Sequence, residues 1–140
     1  MAEVKRTIER PLSPHLSVYR PQINMVMSIA HRITGAALYV GTVLLAAWLV
    51  AASVGEPAFA FVNGLFAHPL GLLVLLGYSW ALIHHMLGGV RHLIWDTGRG
   101  FDIKSVDTLG WLTIIGSLLL TAGVWVAGLS LGGISLQDLF

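Results

Sequence analysis

The sequence contains no cysteine, which excludes disulfides, thiolate metal ligands and cysteine-held iron–sulfur clusters from this chain. Any iron bound here must take nitrogen or oxygen donors. Charge is almost as scarce: 11% of the 140 residues are Asp, Glu, Lys or Arg, 56% are hydrophobic and the mean hydropathy is +0.79. Globular domains carry about 25% charged residues, so the composition defines an integral membrane protein. Also missing is a short apolar core near the start, since some thirty largely polar residues precede the first apolar run; no cleavable secretory signal is expected. Glu3 and Glu9 interrupt any acid-poor presequence, which favours a bacterial or already processed chain. No internal repeat of the kind that builds two-halved transporters is visible.

What is present is three apolar stretches, 33–54, 70 to about 95, and 109–131, each long enough to cross a bilayer. The expected fold is therefore all-α and membrane-embedded, with three transmembrane helices at about 23–54, 69–96 and 109–131. A cytoplasmic arm, 1–22, precedes them and a short tail, 132–140, follows. Lys5, Arg6, Arg10, Arg20 and Arg32 precede or open the first span, and Arg91, Arg99 and Lys104 surround the second link. Residues 55–68 and the tail hold no Lys or Arg. By the positive-inside rule the N-terminus is cytoplasmic and the C-terminus periplasmic.

Pro11, Pro14 and Pro21 each remove an N–H donor, so the arm reads as extended and suited to lie under a soluble partner. The first helix is expected to begin near Ile23, putting Ser28, His31, Arg32 and Gly35 on one face of its cytoplasmic turns. Pro69 suits the first turn of the second helix, and Trp95-Asp96-Thr97-Gly98 closes it. In the third span, Gly116 and Gly123, and Gly128 and Gly132, suit close helix packing. That span has no ionisable residue within 109–131 and reads as structural.

The second span carries His84-His85-Met-Leu-Gly-Gly-Val-Arg91-His92. Its charge-free part, residues 70–83, rises only about 21 Å against a hydrocarbon core of roughly 30 Å, so the helix must continue through the histidines. His85, Gly88, Gly89 and His92 then share one face, with His84 and Arg91 on a neighbouring one. Two adjacent glycines cost about 1 kcal/mol each inside a helix, which points to close approach by a helix or a flat ligand such as a porphyrin edge. A neutral imidazole at His85 can ligate haem iron. Because His92 lies two turns along the same helix, a second axial ligand must be His31, His84 or a histidine of another subunit. His31 and Arg32 suit the haem propionates, and Ser28 and Arg32 alternatively the carbonyl oxygens of a quinone, and spacing alone does not separate these roles.

Ser28-Ile-Ala-His31-Arg32-Ile-Thr34-Gly35 resembles the first signature, and His85-x-x-x-Gly89-Val-Arg91-His92-Leu-x-Trp95-Asp96-x-Gly98 the second, of the cytochrome b membrane-anchor subunits of succinate dehydrogenase, respiratory complex II. The arm Arg10-Pro-Leu-Ser-Pro-His-Leu-Ser-Val-Tyr19 resembles mitochondrial and related bacterial members. The resemblance implies a heterodimeric anchor bundle enclosing one haem b and a ubiquinone site, joined to an iron–sulfur subunit and a flavoprotein that carries FAD. It further implies that His85 is an axial haem ligand opposite a histidine of the second anchor. Ser28 and Arg32 correspond to quinone-site residues, and His31 and Arg32 to positions near the propionates. His84 lies outside the signature and reads as packing or a hydrogen-bond donor, and His92 as a polar contact near the interface. The expected setting is the bacterial inner membrane rather than the mitochondrial one, with lipid and no nucleic acid as surroundings. The rival readings are a cofactor-free structural or proton-relay subunit and a di-haem cytochrome, which would need four suitably paired histidines, while His15 and His68 lie outside the spans.

Overall fold

The computed structural model describes residues 19–131; the expectations for the arm before Tyr19 and for the tail lie outside the described residues. The described chain is four helices joined by tight links: α1 (Ile23–Val54), α2 (Glu56–Ala67), α3 (Pro69–Asp96) and α4 (Ile103–Leu131). Helices α1, α3 and α4 are long and apolar enough to cross a membrane. The extra helix, α2, occupies the segment expected to be a loop. Gly55, at φ 132°, breaks the chain between α1 and α2, and Pro57 falls in the first turn of α2. α4 begins several residues before its apolar run, capped by Asp102, whose Oδ2 accepts from the Ser105 amide at 2.9 Å.

Helix α3 packs against both α1 and α4, which also touch each other, while α2 covers α1 and α3 at the end opposite the α3–α4 link. There Trp48 Nε1 donates to Asn63 Oδ1 at 3.0 Å, tying α2 to α1. An apolar crevice of about 310 Å³ lies alongside, lined by Leu44, Trp48, Asn63, Phe66 and Tyr78 among others.

The interior inverts the arrangement of a water-soluble bundle. Among the described residues the buried apolar ones are only Met27, Ala51 and Ala81, whereas Thr34, His84, Arg91, Thr113, Ser117 and Thr121 are buried and the large aliphatic side chains are mostly exposed. Such a surface suits hydrocarbon, where apolar groups gain nothing by leaving the outside and polar groups must find partners inside. On α4 the buried positions Gly110, Thr113, Ser117 and Thr121 form one stripe. Of the glycines expected to mediate packing, Gly116 meets the Leu87 side chain, but a Cβ on Gly123 or Gly128 would meet nothing within 4 Å. The close packing runs instead through Gly110, against Ile23 and Met27.

Candidate functional site

The part of the α1–α3 contact nearer the start of α1 is built from two histidines and two glycines. His31 on α1 and His85 on α3 stack with ring centroids 3.9 Å apart and planes 4° apart. Each ring lies over a glycine of the opposite helix: a Cβ on Gly88 would fall 2.5 Å from His31 Nδ1, and one on Gly35 would fall 2.9 Å from His85 Cε1. The two bare backbones let the helices approach closely enough for the rings to overlap.

His85 is oriented by hydrogen bonds. Its Nδ1 lies 3.1 Å from the His31 carbonyl oxygen and 3.4 Å from Thr34 Oγ1. A carbonyl oxygen only accepts, and the Thr34 hydroxyl donates to the carbonyls of Ala30 at 2.9 Å and His31 at 3.0 Å. Nδ1 therefore carries a proton, and in the neutral ring Nε2 keeps its lone pair. This is the tautomer of a metal-binding imidazole whose second nitrogen is fixed by a backbone acceptor.

His84, one residue away, faces α4. Ser117 is fully buried and its hydroxyl donates to the Ile114 carbonyl at 2.9 Å, so its oxygen accepts from His84 Nδ1 at 3.2 Å. The inward line of α3 is thus Ala81, His84, Gly88 and Arg91, rotated from the His85–Gly88–Gly89–His92 face expected from spacing. Gly88 is filled from within the chain by His31, while a Cβ on Gly89 would meet nothing within 4 Å. His92 is exposed, its ring 5.3 Å from His31 and 5.2 Å from Trp95.

The four residues expected on one face of α1 separate. His31 and Gly35 turn to α3, whereas Ser28 and Arg32, one turn apart, are exposed on the outer side. The buried Ser117 was not singled out by sequence; Thr113, Ser117 and Thr121 recur every four residues, and that spacing carried the signal.

These features define a multi-pass, all-α membrane anchor with a histidine pair set into glycine notches near one end of the bundle. Residues 6–124 match the family model described as succinate dehydrogenase/fumarate reductase transmembrane subunit. The chain is 40% identical over 128 residues to the succinate dehydrogenase cytochrome b556 subunit of Rickettsia felis, covering 90% of this chain and 100% of that one. It is 45% identical over 120 residues to the cytochrome b556 subunit of Paracoccus denitrificans, covering 86% of this chain and 92% of the relative. With the mitochondrial cytochrome b560 subunit of Bos taurus it shares 37% identity over 121 residues, or 84% and 71% of the two chains. The chain belongs to the succinate dehydrogenase/fumarate reductase transmembrane subunit family.

Proposed function

We propose that this chain is a haem b-holding membrane anchor of a succinate:ubiquinone oxidoreductase in a bacterial inner membrane. It catalyses nothing alone; it secures a flavoprotein and an iron–sulfur subunit at the cytoplasmic face and forms one wall of the quinone site. FAD and the iron–sulfur clusters belong to those partners.

The observation that carries the reading is the His85 imidazole, with Nδ1–H held by the His31 carbonyl and Nε2 free to bind iron. The residues fit a haem. Among the described residues no group of three or more His, Cys, Asp or Glu could hold a bare metal ion, so one imidazole suits a metal that brings its own porphyrin nitrogens. A haem held by His85 would supply a one-electron store.

A second ligand to that iron would come from a second anchor subunit. Rings stacked at 3.9 Å leave no gap for a porphyrin between His31 and His85, His84 is committed to Ser117 on the far side of α3, and His92 shares a helix with His85. His31 and Arg32 serve the propionates, as polar groups close to the cytoplasmic end of α1.

Ser28 and Arg32 bind the quinone. Their exposure on α1 leaves the hydroxyl and guanidinium facing a partner or a membrane-borne ligand. A hydroxyl donor and a fixed cation stabilise negative charge developing on a quinone oxygen as it is reduced. The N-terminus is placed in the cytoplasm and the C-terminus in the periplasm, following the Lys and Arg distribution. A reduced-minus-oxidised optical spectrum of the purified complex, wild type against His85→Ala, tests the reading: loss of the haem b band is the expected result.

A further inference from the structure

Arg91 is the one buried arginine or lysine among the described residues, at 3% exposure. Its Nε and Nη1 atoms are buried and find no hydrogen-bond partner among those residues. The contact its side chain makes is with the Trp95 ring, 5.0 Å from guanidinium carbon to centroid, which offsets only part of the cost of an unpaired buried charge. A guanidinium does not deprotonate in proteins. An anion from outside the described chain must therefore complete the site.

The surroundings indicate what kind of anion. Arg91 lines a crevice of about 120 Å³ between α3 and α4, whose walls are otherwise hydrocarbon: Leu87, Val90, Ile94, Leu109 and Leu112, with Thr113. That volume is well above the roughly 10–15 Å³ a single water requires, so the crevice has room for a phosphate group. Val90 and Leu112 are 47% and 60% exposed, so the mouth of the crevice is apolar and suits hydrocarbon better than water. Arg91 lies five residues before the end of α3 at Asp96, about 7.5 Å along the helix, a depth that a headgroup phosphate reaches. We propose that this crevice binds an anionic phospholipid, with its phosphate on Arg91 and its chains along the α3–α4 surface. The site is separate from His85, whose ring is held by α1 residues rather than by α4, and the inference does not depend on the haem or quinone assignments.

The test uses the assembled complex, purified in mild detergent, washed with a zwitterionic detergent, and assayed for bound lipid by extraction and mass spectrometry. The wild type should retain at least one phosphatidylglycerol or cardiolipin, and Arg91→Gln should retain about tenfold less, the effect of one lost charge-assisted contact. Leu112→Trp, which narrows the mouth and leaves the charge in place, should show the same loss and decides the matter if Arg91→Gln fails to assemble. Adding phosphatidylglycerol vesicles to delipidated wild type should raise its thermal midpoint, whereas phosphatidylcholine vesicles or inorganic phosphate should not. Equal lipid retention in wild type and both variants, or an equal shift from inorganic phosphate, overturns the proposal. Loss of haem from Arg91→Gln with lipid retained assigns the guanidinium to a propionate and overturns it too.

Discussion

His31 and His85 occupy each other's glycine notches: the His31 ring lies on Gly88 of α3 and the His85 ring on Gly35 of α1, and the two imidazoles stack at 3.9 Å. The pairing couples helix spacing to ring orientation. A change in the approach of α1 to α3 must rotate the His85 ring, and with it the direction of Nε2.

The two neighbouring histidines should respond differently to truncation. His85→Ala is expected to remove most haem while assembled complex persists, because packing survives loss of an axial ligand. His84→Ala should keep the haem but lower thermal stability by about 1–3 kcal/mol, as it removes the α3–α4 bond to Ser117 and leaves a cavity. Haem spectra and melting curves of the two variants check both; equal haem loss would mean that the iron-binding residue is misassigned.

The glycines give a second contrast. Gly88→Ala places a Cβ 2.5 Å from His31 Nδ1, so the ring must leave its notch and the α1–α3 contact should weaken by about 1–3 kcal/mol. Gly35→Ala, at 2.9 Å from His85 Cε1, should shift the haem spectrum or potential with less effect on assembly. Redox titration separates the two, and an unaltered potential in Gly35→Ala would disconnect the notch from the haem.

For the quinone site, Ser28→Ala should slow succinate-to-quinone turnover and leave haem content unchanged, since loss of a hydroxyl donor to a buried oxygen is worth about 1–3 kcal/mol. Arg32→Leu should be more damaging and also perturb the haem. Both should oxidise succinate normally with an artificial acceptor that draws electrons from the soluble subunits. Normal quinone kinetics in Ser28→Ala would remove Ser28 from the site.

Asp102 provides a pH-dependent cap. The Ser105 hydroxyl and amide hold its carboxyl below the usual carboxylate range. Because the lowered value belongs to the folded state, the cap's contribution is complete above the unfolded carboxyl pKa of about 3.9 and is lost as pH falls through the folded value. Hydrogen exchange at Ser105 and Val106, whose amides bond to Asp102, should accelerate at acid pH relative to the rest of α4. Asp102→Asn, which retains an acceptor without the titration, should flatten that dependence.

The spans and their histidines were legible because hydropathy and forbidden polar groups are properties of single segments. The meeting of His31 with His85 was not, since spacing assigns residues to a face without saying which helix that face meets. The same ambiguity hid the inward line of α3: His84 and His85 differ by one residue, and only the position of α4 decides that His84 is inside. α2 was missed because twelve residues are too few to announce a helix by hydropathy, although Gly55, Glu56 and Pro57 mark a helix start. Likewise Asp102 three residues before Ser105 signalled the earlier beginning of α4, ahead of the apolar run used to place it.

The polar stripe of α4 bears on how the protein is made. Thr113 donates to the Leu109 carbonyl, Ser117 to that of Ile114 and Thr121 to that of Ser117, so these hydroxyls are satisfied within their own helix before it touches another. Helix α3 has no such independence: its His84 finds its bond on Ser117, in a segment synthesised later. As the ribosome delivers the chain in order, α3 enters the membrane with that imidazole unsatisfied and waits for a helix that arrives already complete. Biogenesis therefore has an interval between the second and third spans in which His84 lacks the hydrogen bond it makes in the folded chain.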